Sequence, residues 1–180
     1  MVLPIHFIRE TFLFEMSLFL YIFPVYIGGG GDMEIITLKN EERRSVLGQV
    51  SEDVNLETLD SLRPEIDKMK DLLLEVEGLG LAMPQVGLLY RCFIMRKGSK
   101  IETVINPKIV KKGKVLAVHK EGCLSVPGKE LEITRPRKID VEYYNEEGKF
   151  KKGRFVDLRS CVFQHELDHL NGRLILDRVG

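Results

Sequence analysis

Gln164-His165-Glu166-Leu167-Asp168-His169 places two imidazoles four residues apart, with a carboxylate directly after the first. On a helix, residues i and i+4 share a face, so both rings can reach one metal ion. Glu166 then stands beside the ion's water, where it can act as a general base. A hydrolytic centre of this kind normally takes three protein ligands and keeps one position open. A third ligand must therefore be found. The bland alternative is a solvated helix that happens to carry two histidines and a glutamate.

The flanking residues favour the helix. Asp157 is expected to cap its start, and Leu158, Val162, His165 and His169 follow the spacing of one face. Gly172, after Asn171, supplies a left-handed stop. The third ligand is expected upstream. In the extended protease pattern, the residue six places after the second His is also His, but here it is Ile175. No Glu follows His169, and Asp177 is the only later acid.

Three cysteines lie upstream or on the helix itself. Cys161 sits eight residues before His169, about 12 Å along the helix axis, too far for both to bind one ion. It reads as a small buried residue, as does Cys92 in the apolar run Arg91-Cys92-Phe93-Ile94-Met95. His119 reads as a half-exposed strand residue. Cys123 differs, because Gly122, Pro127 and Gly128 punctuate the chain around it and permit close backbone approach to the helix.

A further segment, Gly78-Leu79-Gly80-Leu81-Ala82-Met83-Pro84-Gln85, leaves an amphipathic helix and precedes the apolar run. Its glycines suggest a phosphate loop, but no Lys-Ser/Thr follows and it does not open a helix, so nucleotide binding is unsupported. The Gln85 amide can donate to a developing oxyanion. Taken alone, a tight turn with a surface Gln is the simpler reading.

In this order the three segments resemble the peptide deformylase family, which carries G-x-G-Φ-A-A-x-Q, E-G-C-Φ-S and Q-H-E-x-D-H. The match spans roughly residues 33–180, and the last two motifs are complete. The first departs at Met83, where a small alanine is usual, and altered packing beside the active site is expected. The resemblance implies Cys123, His165 and His169 as metal ligands, Fe²⁺ favoured and Zn²⁺ possible, since these donors accept either ion. It implies Glu166 as base and acid, and an oxyanion received by the ion, the Gln85 amide and the Leu124 N–H. The reaction would release formate from N-formylmethionyl nascent peptides. Substrate would lie extended along Leu79, Gly80 and Gly122, with its methionine in a pocket lined by Leu79, Val162 and the His165 ring. Glu121 would pair with Arg135 and steady the cysteine loop. An HExxH metallopeptidase, or a formyl-peptide-binding homologue without activity, are the competing readings.

These residues have to be positioned by an α+β fold. The expectation is mixed or antiparallel β-sheets packed around the C-terminal metal-binding helix carrying HExxH, plus an N-terminal helix. Asp60 or Ser61 is expected to cap that first helix, with Pro64 in its first turn and a stripe of Leu62, Ile66, Met69, Leu73 and Val76. Strands are expected at 91–95, 103–105, 114–120 and 130–134, then a hairpin of 138–144 and 149–156 around Asn145-Glu146-Glu147-Gly148.

The chain has 180 residues, 44% of them hydrophobic, enough for one core and a single catalytic domain over 33–180. With 27 basic and 27 acidic residues, no basic field for nucleic acid is indicated. Three cysteines in ligand or apolar settings suit a reducing cytoplasm better than a disulfide framework. A monomer is expected, with transient ribosome association.

Residues 1–32 stand apart. Segment 11–27 is very apolar, yet Glu15, Ser17 and Pro24 interrupt it, and it is short for a membrane span. Gly28 to Gly31 precede Met33, and consecutive glycine codons can spell a ribosome-binding sequence, so a start at Met33 is expected; a membrane anchor is the runner-up. Two departures from the family are Asn40-Glu41-Glu42-Arg43-Arg44 in place of a Pro-Asp-Pro-like turn, and a chain ending at Gly180, which makes ribosome docking by a basic C-terminal helix doubtful.

Overall fold

The computed structural model describes residues 33–179. Both readings of 1–32 fall outside the described residues. Strands β1 (Gly80–Ala82), β2 (Cys92–Lys97), β3 (Lys100–Lys112), β6 (Lys138–Tyr144) and β7 (Phe150–Val156) form one antiparallel sheet in the order β1-β2-β3-β6-β7. Strands β4 (Leu116–Gly122) and β5 (Glu130–Pro136) form a separate antiparallel ribbon. Helix α1 spans Arg63–Glu75 and helix α2 spans Asp157–Leu170. Among the described residues, no helix is long and apolar enough to cross a membrane.

The sheet is covered on both faces, and β2 shows why. Successive strand side chains point to opposite faces. Cys92 and Ile94 join Ile66, Met69, Leu72 and Leu73 of α1, whereas Phe93 and Met95 join Phe163 and Leu170 of α2. A strand buried on both sides reads as an unbroken apolar run, as Cys92-Phe93-Ile94-Met95 does. Phe163 anchors α2 edge-to-face against Phe93 and Phe155, with ring centroids 5.2 and 5.4 Å away. Arg91 finishes the helix by donating to the Leu170 carbonyl and to Asn171 Oδ1, a cation at the negative end of the dipole. Gly172 follows at φ 65°, where the chain turns against the Gly48 backbone.

Several local expectations need correction. Asp157 does not cap α2: it is the first helical residue, no side chain caps Val156, and its carboxylate pairs with Arg137 instead. Neither Asp60 nor Ser61 caps α1. A 3-10 turn over Leu56–Leu62 runs straight into the helix, capped by the Asn55 side chain, which accepts from the Glu57 N–H. Asp60 pairs with Arg63, and the Ser61 hydroxyl donates to the Thr58 carbonyl. The 103–105 strand extends to thirteen residues as β3, because β2 and β6 pair along its two edges in turn. Gly80–Ala82, read as a loop, is the edge strand β1. Met83 opens the 3-10 turn that carries Gln85. It is fully buried with Ile66, Met69 and Leu73 in the core beneath α1.

Candidate active site

The second half of α2 and the loop after β4 meet at one point. One ligand atom each from Cys123, His165 and His169 lies within 4.8 Å of the others. Cys123 Sγ stands 3.3 Å from His169 Nε2. Ligands at ~2.0–2.3 Å around a tetrahedral ion are separated by roughly 3.3–3.8 Å, so this thiol–imidazole spacing fits a shared cation. His165 Nδ1 is engaged with Glu121 Oε2 at 2.9 Å, which leaves its Nε2 as the free donor. A soft thiolate with two imidazoles suits a divalent transition metal rather than Mg²⁺ or Ca²⁺.

Glu166 occupies a different niche from the two rings. It is buried, and its Oε2 has no hydrogen-bond partner among the described residues. Burial pushes its carboxyl up to about 7, against the opposing pull of His165 and Arg135. A carboxyl near neutrality can both accept and return a proton. The carboxylate lies directly over Gly80 of β1. A Cβ built on Gly80 would overlap it, standing 2.8 Å from Glu166 Cδ and 2.9 Å from Cγ. Gly80 is thus the floor on which this side chain rests. Gly80→Ala is expected to displace the carboxylate while sparing the three ligand atoms. Hydrolytic turnover should fall ~100-fold or more at full metal content, because a 1 Å misplacement suffices for that loss. Near-normal turnover would show that the carboxylate's seat is unimportant.

Gln85 sits in the 3-10 turn Met83–Val86, only 2% exposed. Its Oε1 accepts from the Ala82 N–H at 2.9 Å, and its Nε2 donates to Ser125 Oγ at 3.2 Å. The same Nε2 points toward Cys123 Sγ at 3.9 Å, so the amide faces the ligand cluster. The simple reading of a surface Gln is overturned. Leu124 follows Cys123 with its side chain packed against the core beneath α1.

Beneath the cluster lies a buried ionic network. Glu121 Oε1 and Oε2 accept from Arg135 Nε at 2.5 Å and Nη2 at 2.9 Å. Burial would raise the Glu121 carboxyl, but hydrogen bonds from Arg135 and His165 outweigh it and hold it down to about 2. Arg135 Nη1 also donates to Asp168 Oδ2 at 2.8 Å, and Arg178 pairs with Asp168 from the other side. The carboxylates of Glu121 and Asp168 thus share one guanidinium, tying the cysteine loop to α2.

Cys161 is buried but not merely apolar filling. Its thiol donates to Glu121 Oε1 at 3.2 Å, and burial together with the Glu121 charge pushes it up. Asp168 and Ser125 were visible inside their motifs, yet spacing gave no hint of their partners. His119 is half-buried on β4, away from the cluster. Leu79, Val162 and His165 are half-buried, while Gly80 and Gly122 lie at the ends of β1 and β4. Among the described residues, β1 is an edge strand and β4 pairs only with β5, so each has an unpaired edge.

Comparison with known proteins agrees with this geometry. A family model described as polypeptide deformylase matches residues 33–180. The peptide deformylase of Thermotoga sp. (strain RQ2) is 42% identical over 120 residues, 67% of this chain and 73% of its own length. A probable peptide deformylase from Synechococcus phage S-SSM7 superposes with a TM-score of 0.76 at 34% identity, covering 82% of this chain and 99% of that one. A peptide deformylase from Synechococcus elongatus, solved in complex with actinonin, gives a TM-score of 0.76 at 32% identity, covering 91% and 87%.

Proposed function

We propose that this chain, which belongs to the polypeptide deformylase family and is an enzyme of that kind, works with Glu166 as its proton-transfer group and Gln85 and Leu124 as oxyanion donors. Cys123, His165 and His169 would hold one divalent cation. The observation that carries this reading is the approach of those three donors to within 4.8 Å, beside a buried carboxylate with an unpartnered oxygen. The reaction is hydrolysis of the formamide at the N-terminus of a formylmethionyl nascent peptide.

When bound, such a cation would supply Lewis acidity, lowering the pKa of water and polarising the formyl group. The protein's own residues do the rest. Glu166 takes a proton as the water oxygen bonds to the formyl carbon. The Gln85 Nε2–H and the Leu124 N–H receive the negative charge that builds on the formyl oxygen. Glu166 then gives its proton to the leaving nitrogen, the C–N bond breaks, and formate and a free amine part. Burial makes Glu166 ready for both transfers, since its carboxyl lies near neutral pH.

The open edges at Gly80 and Gly122 support an extended substrate laid between β1 and β4 by strand addition. Leu79, Val162 and the His165 ring would line its methionine pocket. Glu121 and Arg135 act from beneath, fixing His165 through Nδ1. The same reading assigns a single catalytic domain to 33–180, acting as a cytoplasmic monomer on nascent chains with transient ribosome contact. The C-terminal helix is then the HExxH metal helix.

Formyl-Met-Ala-Ser separates this reading from its rivals. Formate should appear without free amino acids. Release of amino acids would identify a peptidase, and tight binding without turnover an inactive homologue. Ferrous iron is the favoured ion. Iron-loaded protein, assayed without oxygen, should turn over faster than zinc-loaded protein; equal or slower turnover would sink that preference.

A further inference from the structure

Ser125 is fully buried in the loop after β4, and its hydroxyl has no role in the chemistry above. Its surroundings give it one. Gln85 has an amide whose two ends differ, and the structure fixes which end goes where. The Ala82 N–H is a donor 2.9 Å away, so the atom facing it must be the acceptor Oε1. The NH₂ end is left to face Ser125 Oγ at 3.2 Å, with Cys123 Sγ further off at 3.9 Å. At 3.9 Å the sulfur is at the outer limit of an N–H···S contact, whereas 3.2 Å to an oxygen is within the ordinary range, so the serine oxygen is the effective partner.

We propose that Ser125 is a positioning residue that aims the Gln85 amide, its hydroxyl taking one N–H so that the other is directed at the reacting oxygen. A planar NH₂ carries its two hydrogens at a fixed angle, so holding one sets the line of the other. The backbone supports this arrangement. The Ile36 N–H donates to the Gln85 carbonyl at 2.7 Å, and the Leu38 N–H donates to the Ser125 carbonyl at 2.9 Å. One short segment thus stitches the glutamine turn to the cysteine loop, with Ile36 packed beside Cys123 and Val126. Donor and holder are therefore set at a fixed separation before substrate arrives. Preorganisation of that kind is what gives an oxyanion donor its value.

The inference rests on Gln85 being an oxyanion donor, and a double-mutant cycle tests the two ideas separately. Removal of one such donor costs ~10²–10³ in kcat. Gln85→Leu should show a loss of that order. Ser125→Ala, which leaves the donor in place but unaimed, should lower kcat by ~10-fold, within that limit. KM, metal content and the thermal midpoint should stay near wild type. In the Gln85→Leu background, Ser125→Ala should change kcat less than ~2-fold, because it acts only through Gln85. An equal loss in both backgrounds, or an unchanged kcat in Ser125→Ala, would overturn the positioning role while leaving Gln85 intact. A fall in metal content or midpoint that tracks kcat would mark Ser125 as merely structural and overturn it too. If Gln85→Leu itself leaves kcat unchanged, the oxyanion reading fails and the proposal goes with it.

Discussion

Glu166→Gln is expected to keep its metal and its fold and to lose formate release by ~10²–10⁴-fold, the usual worth of a positioned acid–base group. The substitution is isosteric and lies apart from the three donor atoms, so metal content should match wild type. It removes the only feature the mechanism uses at that position, the capacity to gain and lose a proton. Stability should hold or rise. The wild-type carboxylate is buried with one oxygen unpartnered, and a neutral amide carries no charge to desolvate. Metal analysis, a denaturation curve and single-turnover formate release check the three parts together. A variant with near-normal rate at full metal content means that another group moves the proton.

Arg135→Met should be the most damaging substitution for the fold. Met keeps the unbranched stem but not the guanidinium, which serves two buried carboxylates, Glu121 at 1% and Asp168 at 9% side-chain exposure. Among the described residues, its loss leaves Glu121 with only His165 and the Cys161 thiol as partners, and Asp168 with only Arg178. Breaking one partner from a buried ionic group costs ~3–5 kcal/mol, because the remaining charge stays buried uncompensated. The midpoint of urea unfolding in chelator-treated protein reads this directly. Metal affinity should fall as well, by ~10–100-fold, since Glu121 orients His165. A loss below ~1 kcal/mol, in the range of an exposed pair, would show that the network is solvated rather than buried.

The legible and illegible parts of this protein divide along one physical line. Residues whose roles depend on local period or local chemistry could be read in order. His165 and His169 share a helix face because helical geometry fixes i and i+4. The stripe Ile66, Met69 and Leu73 lies in the core because one helix face must be buried. The hairpin of β6 and β7 closes at the expected turn, its Gly148 at φ 70°. Helix starts were misread because Asp157 and Asp60 each found an arginine nearer than the backbone N–H groups they were expected to cap. Gly80–Ala82 was misread because a three-residue edge strand has too few residues to show a period.

The sequence by itself determined the donor types, the helix that presents two of them, and the chemistry they can support. Only the tertiary structure decided how the remaining parts converge. Cys123 reaches His169 across 46 residues of chain, and Gln85 turns inward to Ser125 across 40. Gly80 proved to be the seat of the Glu166 carboxylate, and Asp168 and Glu121 proved to share Arg135. Those pairings depend on which sheet edges meet and which loops are stitched together. No local spacing encodes such long-range closures, because their free energy comes from burial and pairing that exist only once the whole chain has folded.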